Sequence, residues 1–150
     1  MASLTDILTN ESKKNEVVQD ALALLDEEVA RKKGVSGMAI KTGYKTVKGV
    51  KPGFLRGAVE DLLPEFAEAL DPLYQESVQK NVQVDQYLSD NSGRVADALL
   101  AITDGKAERA KTAVVKSAYK RLRGYARKNV EEAAPGIGRM IEKHVAAAGA

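Results

Sequence analysis

The side chains able to do nucleophilic or metal chemistry are few. Cysteine is absent and His144 is the single histidine. A thiolate nucleophile, a thiolate metal site and a disulfide are therefore excluded, and any imidazole base rests on His144 alone. That residue falls on an amphipathic tail running into Ala146-Ala147-Ala148-Gly149-Ala150, a stretch expected to fray, and no catalytic role is expected of it. Carboxylates come in close pairs, Glu60 with Asp61, Glu65 with Glu68 and Asp104 with Glu108, as a hard-cation site or a proton-exchanging pair would require. Each pair has a simpler reading, because acids in the first turn of a helix offset its macrodipole and Asp104 is placed to cap one. No spacing builds an EF-hand loop. The segment Gly34-Val35-Ser36-Gly37-Met38-Ala39 lacks the GxxxxGKS/T and GxGxxG arrangements of phosphate-binding loops. No cofactor, no metal and no enzymatic activity are expected.

Cationic side chains carry the stronger signal. The formal net charge of +2 hides a block pattern along the chain. Residues 29–59 hold eight Lys or Arg and no acid, and residues 60–104 hold ten acids against Lys80 and Arg94; residues 105–130 then return nine basic residues against Glu108. The candidate anion- or partner-binding residues are Lys41, Lys45, Lys48, Lys51 and Arg56 in the first basic segment. In the second they are Lys116, Lys120, Arg121, Arg123 and Arg127, with Lys128 beside them. Such stripes attract phosphates or acidic protein surfaces. Tyr44, Tyr119 and Tyr125 lie within these segments. An exposed tyrosine beside arginine stacks on single-stranded bases, but Tyr44 and Tyr119 fall on apolar stripes and are expected in the core.

Two functions of different class follow. The first is a non-enzymatic interaction protein whose basic faces meet acidic protein surfaces, including the acidic block of a second copy in a homo-oligomer. The second is a nucleic-acid binder that recognises the phosphate backbone. The competing explanation is that the charge blocks neutralise one another as the helices pack. Residues 35–51 also set lysines beside an apolar side, as interfacial helices do, yet that side lacks Trp, Phe and Leu and is interrupted by glycines. Burial against the rest of the protein is the expectation for it.

The elements that position these residues are helical throughout. Ser3 caps a short turn through Leu8, and Asn10 or Ser12 starts a helix to about Lys32, with Val18, Leu22, Leu25 and Val29 on its core stripe. Gly34 in a left-handed conformation stops it. A helix capped by Ser36 runs to about Val50, and Gly43 in its middle costs about 1 kcal/mol relative to alanine. That cost points to the close approach of another backbone. Pro64 either ends the helix begun at Phe54 or opens the next, and Asp71-Pro72 is read as an N-cap followed by proline at the first helical position. Asn81 ends that helix, a short one follows, and Ser92 caps another. Thr103-Asp104-Gly105 reads as a tight connection into a long basic helix to about Lys128 or Asn129, and Pro135-Gly136 separates off the last helix.

A chain of 150 residues is the size of one domain, able to bury roughly 68–70% of the surface its unfolded form exposes. With seven aromatics and no tryptophan, its core must be mainly Leu, Val, Ile and Ala. The N-terminus shows no signal-peptide pattern, and no apolar run approaches the roughly 18 residues of a membrane span. A cytoplasmic location is expected. The segments SGMAIKTGYKTVKGVKPG, LLPEFAEALDPLYQ, VADALLAITDGKAERA and SAYKRLRGYA resemble a family of small uncharacterised bacterial proteins treated as a domain of unknown function. The resemblance runs over most of the chain. It implies an all-helical single domain in the bacterial cytoplasm and brings no activity, cofactor or catalytic residue with it. The expected architecture is all-α, a single compact bundle of seven to nine short and medium helices over residues 1–150.

Overall fold

Ser3 opens the first helix by the mechanism its position predicts. In the computed structural model, which describes residues 2–149, the Ser3 hydroxyl accepts from the Asp6 N–H at 3.1 Å and caps α1, Leu4–Leu8. A second free donor of that helix end is satisfied from far along the chain, since the Leu4 N–H donates to Asp71 Oδ1 at 2.8 Å. Asp71 therefore does not cap a helix of its own. It pins α1 onto the middle of α4, Phe54–Gln79, where Leu4, Ile7 and Leu8 are buried.

The remaining elements are α2, Lys14–Ala30; α3, Gly34–Lys48; α5, Val84–Asp90; α6, Ser92–Glu108; and α7, Ala113–Ala147. The protein is all-α, with seven helices and no strand among the described residues. No helix among them is long and apolar enough to cross a membrane.

The expected breaks at proline do not occur. Pro64 and Pro72 both lie inside α4, and Pro135 lies inside α7. A helical proline costs about 3 kcal/mol. Along α4, however, Leu63, Ala67, Leu70, Leu73, Tyr74 and Ser77 are buried at spacings of three and four, and a large apolar side chain contributes about 1.5–3 kcal/mol on burial. One continuous buried face outweighs two local breaks. Pro72 is exposed, as is Glu68, whose carbonyl it leaves unpaired on the outer side.

Other boundaries shift for local reasons. Asp104 does not open the long basic helix, because α6 continues through it to Glu108; Tyr119 and Arg123 hold its carboxylate instead. Ser36 and Ser92 cap nothing: α3 begins earlier, at Gly34, without a side-chain cap, and Asn91 rather than Ser92 occupies the cap position of α6. Gly34 has the expected left-handed φ of +74°, but it does not stop α2, which already ends at Ala30 with Arg31 as its C-cap; Gly34 is the first residue of α3. Asn81, at φ 57°, closes α4 with the Val82 N–H donating to the Ser77 carbonyl at 2.9 Å, the six-to-one bond of a left-handed helix terminus.

Two long helices organise the rest. α4 packs against α1, α2, α3, α5 and α6, and α7 packs against α1, α2, α3, α5 and α6. At 35 residues, α7 spans roughly 50 Å at 1.5 Å per residue. Its C-terminal half is sandwiched at the glycines that read as a break. An added methyl at Gly136 would meet Leu24 Cδ1 of α2 at 2.7 Å, and one at Gly138 would meet the Asp85 backbone nitrogen of α5 at 2.8 Å. His144 is in this half too, and it is not on a fraying tail. It is 3% exposed, with Nε2 2.8 Å from Asp20 Oδ2. Burial alone would raise the Asp20 carboxyl, but hydrogen bonds from Lys143 and His144 outweigh it and hold the carboxyl below its usual range.

Candidate partner-binding face

The two basic segments meet in space. α3 lies antiparallel on the N-terminal half of α7: Ser36 and Gly37 share a cavity with Tyr125, Lys128 and Asn129, while Thr42, Gly43 and Thr46 share a second with Ala118, Arg121 and Leu122. Gly43 makes this approach, although not to a backbone as expected. The neighbour is the Leu122 side chain, whose Cγ would sit 2.9 Å from an added methyl. Leucine interlocks with the glycine notch and sets the distance between the helices.

One flank of α7 is neutralised by α6. Arg123 donates to Asp104 through Nε at 2.8 Å and a terminal nitrogen at 3.2 Å, and the Tyr119 hydroxyl donates to the same carboxylate at 2.5 Å. These bonds, Arg123 first, hold Asp104 below its ordinary value. Burial and the Asp104 contact together push the half-buried Tyr119 phenol up. Arg127 pairs with Asp97 and with Glu131. In the first segment, Lys48 lies 3.5 Å from Asp26 and over the Tyr44 ring, 5.0 Å from its centre, while Tyr44, half-buried, donates to Asp26. Arg56 pairs with Glu60 at 3.1 Å. Four of the ten candidate cations, Lys48, Arg56, Arg123 and Arg127, therefore face acids of their own chain.

Other cations of the two helices are open. Lys41 and Lys45 on α3 and Arg121 at the α7 seam are exposed, as are Lys116 and Lys120 on the α7 stripe of Arg123 and Arg127, and no ion pair among the described residues involves any of these five. Lys51 is likewise exposed, in the turn after α3. The larger cavity, about 600 Å³, adds Lys33 and Lys128 around Tyr125, together with Arg31 and Lys32, which already pair with Glu28; Glu132, which also meets Lys32, is its single acid. The smaller, about 270 Å³, is walled by Met38, Ala39, Gly43, Ala118 and Leu122 with Thr42, Thr46 and Arg121. Neither cavity gathers paired carboxylates, and the described residues contain no cluster of three or more His, Asp or Glu side chains placed to hold a metal ion.

The acidic block is largely engaged internally. Glu60 pairs with Arg56, Glu65 with Lys106, Asp97 with Arg127 and Asp104 with Arg123. Asp71 accepts from Leu4, and Arg94 forks onto Glu76 with both nitrogens at 2.9 Å while Tyr87 donates at 2.5 Å. Arg94, then Tyr87, lower the Glu76 carboxyl from 4.5 to about 2. A depressed carboxylate pKa stabilises the fold above the unfolded value and loses that effect as pH falls through the folded one. Glu76→Gln is therefore expected to unfold at lower urea than the parent at neutral pH and to approach it as pH falls from about 4.5 to about 2. Parallel urea midpoints across that range would show that the fork contributes nothing.

Profile comparison decides the relationship: the family of unknown function DUF6918 matches residues 4–145. The chain belongs to that family. Neither the curated proteins nor the solved structures yield a match. For a DUF6918 chain the site must thus be argued from its own geometry. The residues missed from sequence are Arg31, Lys33, Met38 and the cavity around Tyr125. Lys32 and Lys33 read as helix-terminal charge, and no periodicity distinguishes an apolar residue facing an open seam from one facing the core.

Proposed function

We propose that this protein is a non-enzymatic binding module that takes an acidic protein surface on the α3/α7 face. The observation that carries the reading is that Lys41, Lys45, Lys116, Lys120 and Arg121, all exposed and in no ion pair among the described residues, belong to one packed helix pair, with Arg121 at the seam itself. Unpaired like charges on one face steer an oppositely charged partner and fix its register. Because most acids of residues 60–104 already hold arginines, lysines or backbone N–H groups of the same chain, the acidic partner is a separate molecule in preference to a second copy.

Labelled poly-glutamate is expected to bind at low salt and to be released at high salt, with poly-lysine binding at neither. Failure of poly-glutamate to bind at low salt would sink the reading, and light scattering in the same buffers would reveal a charge-driven oligomer in its place. A second reading, phosphate-backbone recognition, draws on the exposed Tyr125 beside Lys128, Lys33 and Arg31 in the larger cavity. Displacement of poly-glutamate by equal charge concentrations of DNA or RNA would favour it.

A further inference from the structure

We propose that the α3/α7 seam seats an amphipathic, acidic α-helix of a partner protein, with an apolar side chain of that helix in the cavity over Gly43. The proposal rests on the acidic-partner reading and specifies its ligand.

Apolar exposure is concentrated on these two helices. Of the five large hydrophobic side chains most exposed in the described structure, Val35 at 86%, Met38 at 70%, Val114 at 49% and Tyr125 at 37% belong to α3 and α7; the fifth, Val78, is on α4. Met38 and Tyr125 line the two seam cavities, and Val114 lies one turn before Ala118, which lines the smaller. A phosphate backbone makes no use of Met38, Val35 or Val114. The seam is also concave, whereas a lipid surface meets a convex apolar ridge.

Backbone geometry selects a helix over a strand. Both α3 and α7 satisfy their N–H and C=O groups internally along their length, so they offer no edge for strand addition. Two antiparallel helices do offer a groove into which the side-chain ridges of a third pack. The seam is basic as well: Arg121 lines the smaller cavity, and the exposed Lys33 and Lys128 line the larger. A ligand that carries acids beside an apolar stripe matches both features together.

The test is selection from a displayed library of random peptides about as long as the 15 residues of α3, carried out on the full chain at low salt. Enriched peptides are expected to combine acids with apolar residues at spacings of three and four, and the exposed double variant Met38→Ser with Val114→Ser is expected to bind them about 10-fold more weakly. Acid-rich peptides without that spacing, bound equally by the double variant, would overturn the seated helix while leaving the acidic-partner reading in place. No enrichment of acids would overturn both. Selection of nothing, with Met38-dependent binding to phosphatidylserine vesicles, would assign the face to a lipid surface and overturn the proposal.

Discussion

Replacing Gly138 with alanine is expected to lower the unfolding free energy by about 3 kcal/mol, the upper part of the range for overpacking a closed contact. The added methyl would lie 2.8 Å from the Asp85 backbone nitrogen, 3.1 Å from its Cβ and nearer still to its Cα. Backbone on both sides leaves no flexible side-chain end to move aside. The same junction is tied by Glu142, whose Oε1 accepts the Asp85 N–H at 2.7 Å, so α5 cannot drift from α7 without breaking that bond. Alanine's helix propensity works in the other direction by about 1 kcal/mol, and strain must exceed it for the expected sign. Gly57 supplies the control: it sits in α4 with nothing within 4 Å of an added methyl, and Gly57→Ala is expected to stabilise by up to about 1 kcal/mol. Urea denaturation of both variants checks the pair. A Gly138→Ala protein as stable as the parent would mean that α5 does not approach α7 this closely.

The triple reversal Lys41→Glu, Lys45→Glu and Arg121→Glu is expected to weaken poly-glutamate binding by about 100-fold, because it places like charges against the ligand as well as removing attraction. All three side chains are exposed, and none has an acid partner among the described residues. The urea midpoint should therefore stay near the parent value. Arg123→Gln should behave in the opposite way. It strands Asp104 and lowers stability while leaving binding near the parent level. A triple variant that binds as the parent does would remove α3 and α7 as the binding face, and an Arg123→Gln protein that loses binding without losing stability would move the site to the α6 side.

The helical class was legible because apolar residues recur at three and four along most of the chain, and the ends at Ser3 and Asn81 were legible because each needs only its own side chain or φ. What was hidden depends on partners distant in sequence. Pro64, Pro72 and Pro135 look like stops until the continuous buried face that overrides them is seen. Asp71 looks like a local cap until Leu4 arrives. Asp104 is the sharpest case, since an aspartate before glycine at an apparent junction has every local mark of a cap, and only the position of Tyr119 and Arg123 on α7 gives it another role. The same holds for the candidate cations. Sequence spacing grouped Arg121 with Arg123 and Arg127, but the rotation of α7 turns the first toward α3 and the other two toward the acids of α6.

The distribution of buried residues along α7 has a dynamic consequence. From residue 113 to residue 133 the helix buries Ala118 alone, whereas its remaining length buries Ala134, Gly136, Gly138, Ile141 and His144; α3 buries only Gly37. The cohesion of the protein is therefore graded along a single helix, firm where α2 and α5 clamp it and slight where α3 leans on it. Opening that leaves the core intact begins at the α3 end, as a cooperative unit of α3 with the first half of α7. A ligand seated there would act as the missing third layer, and part of its binding free energy would appear as rigidity instead of affinity.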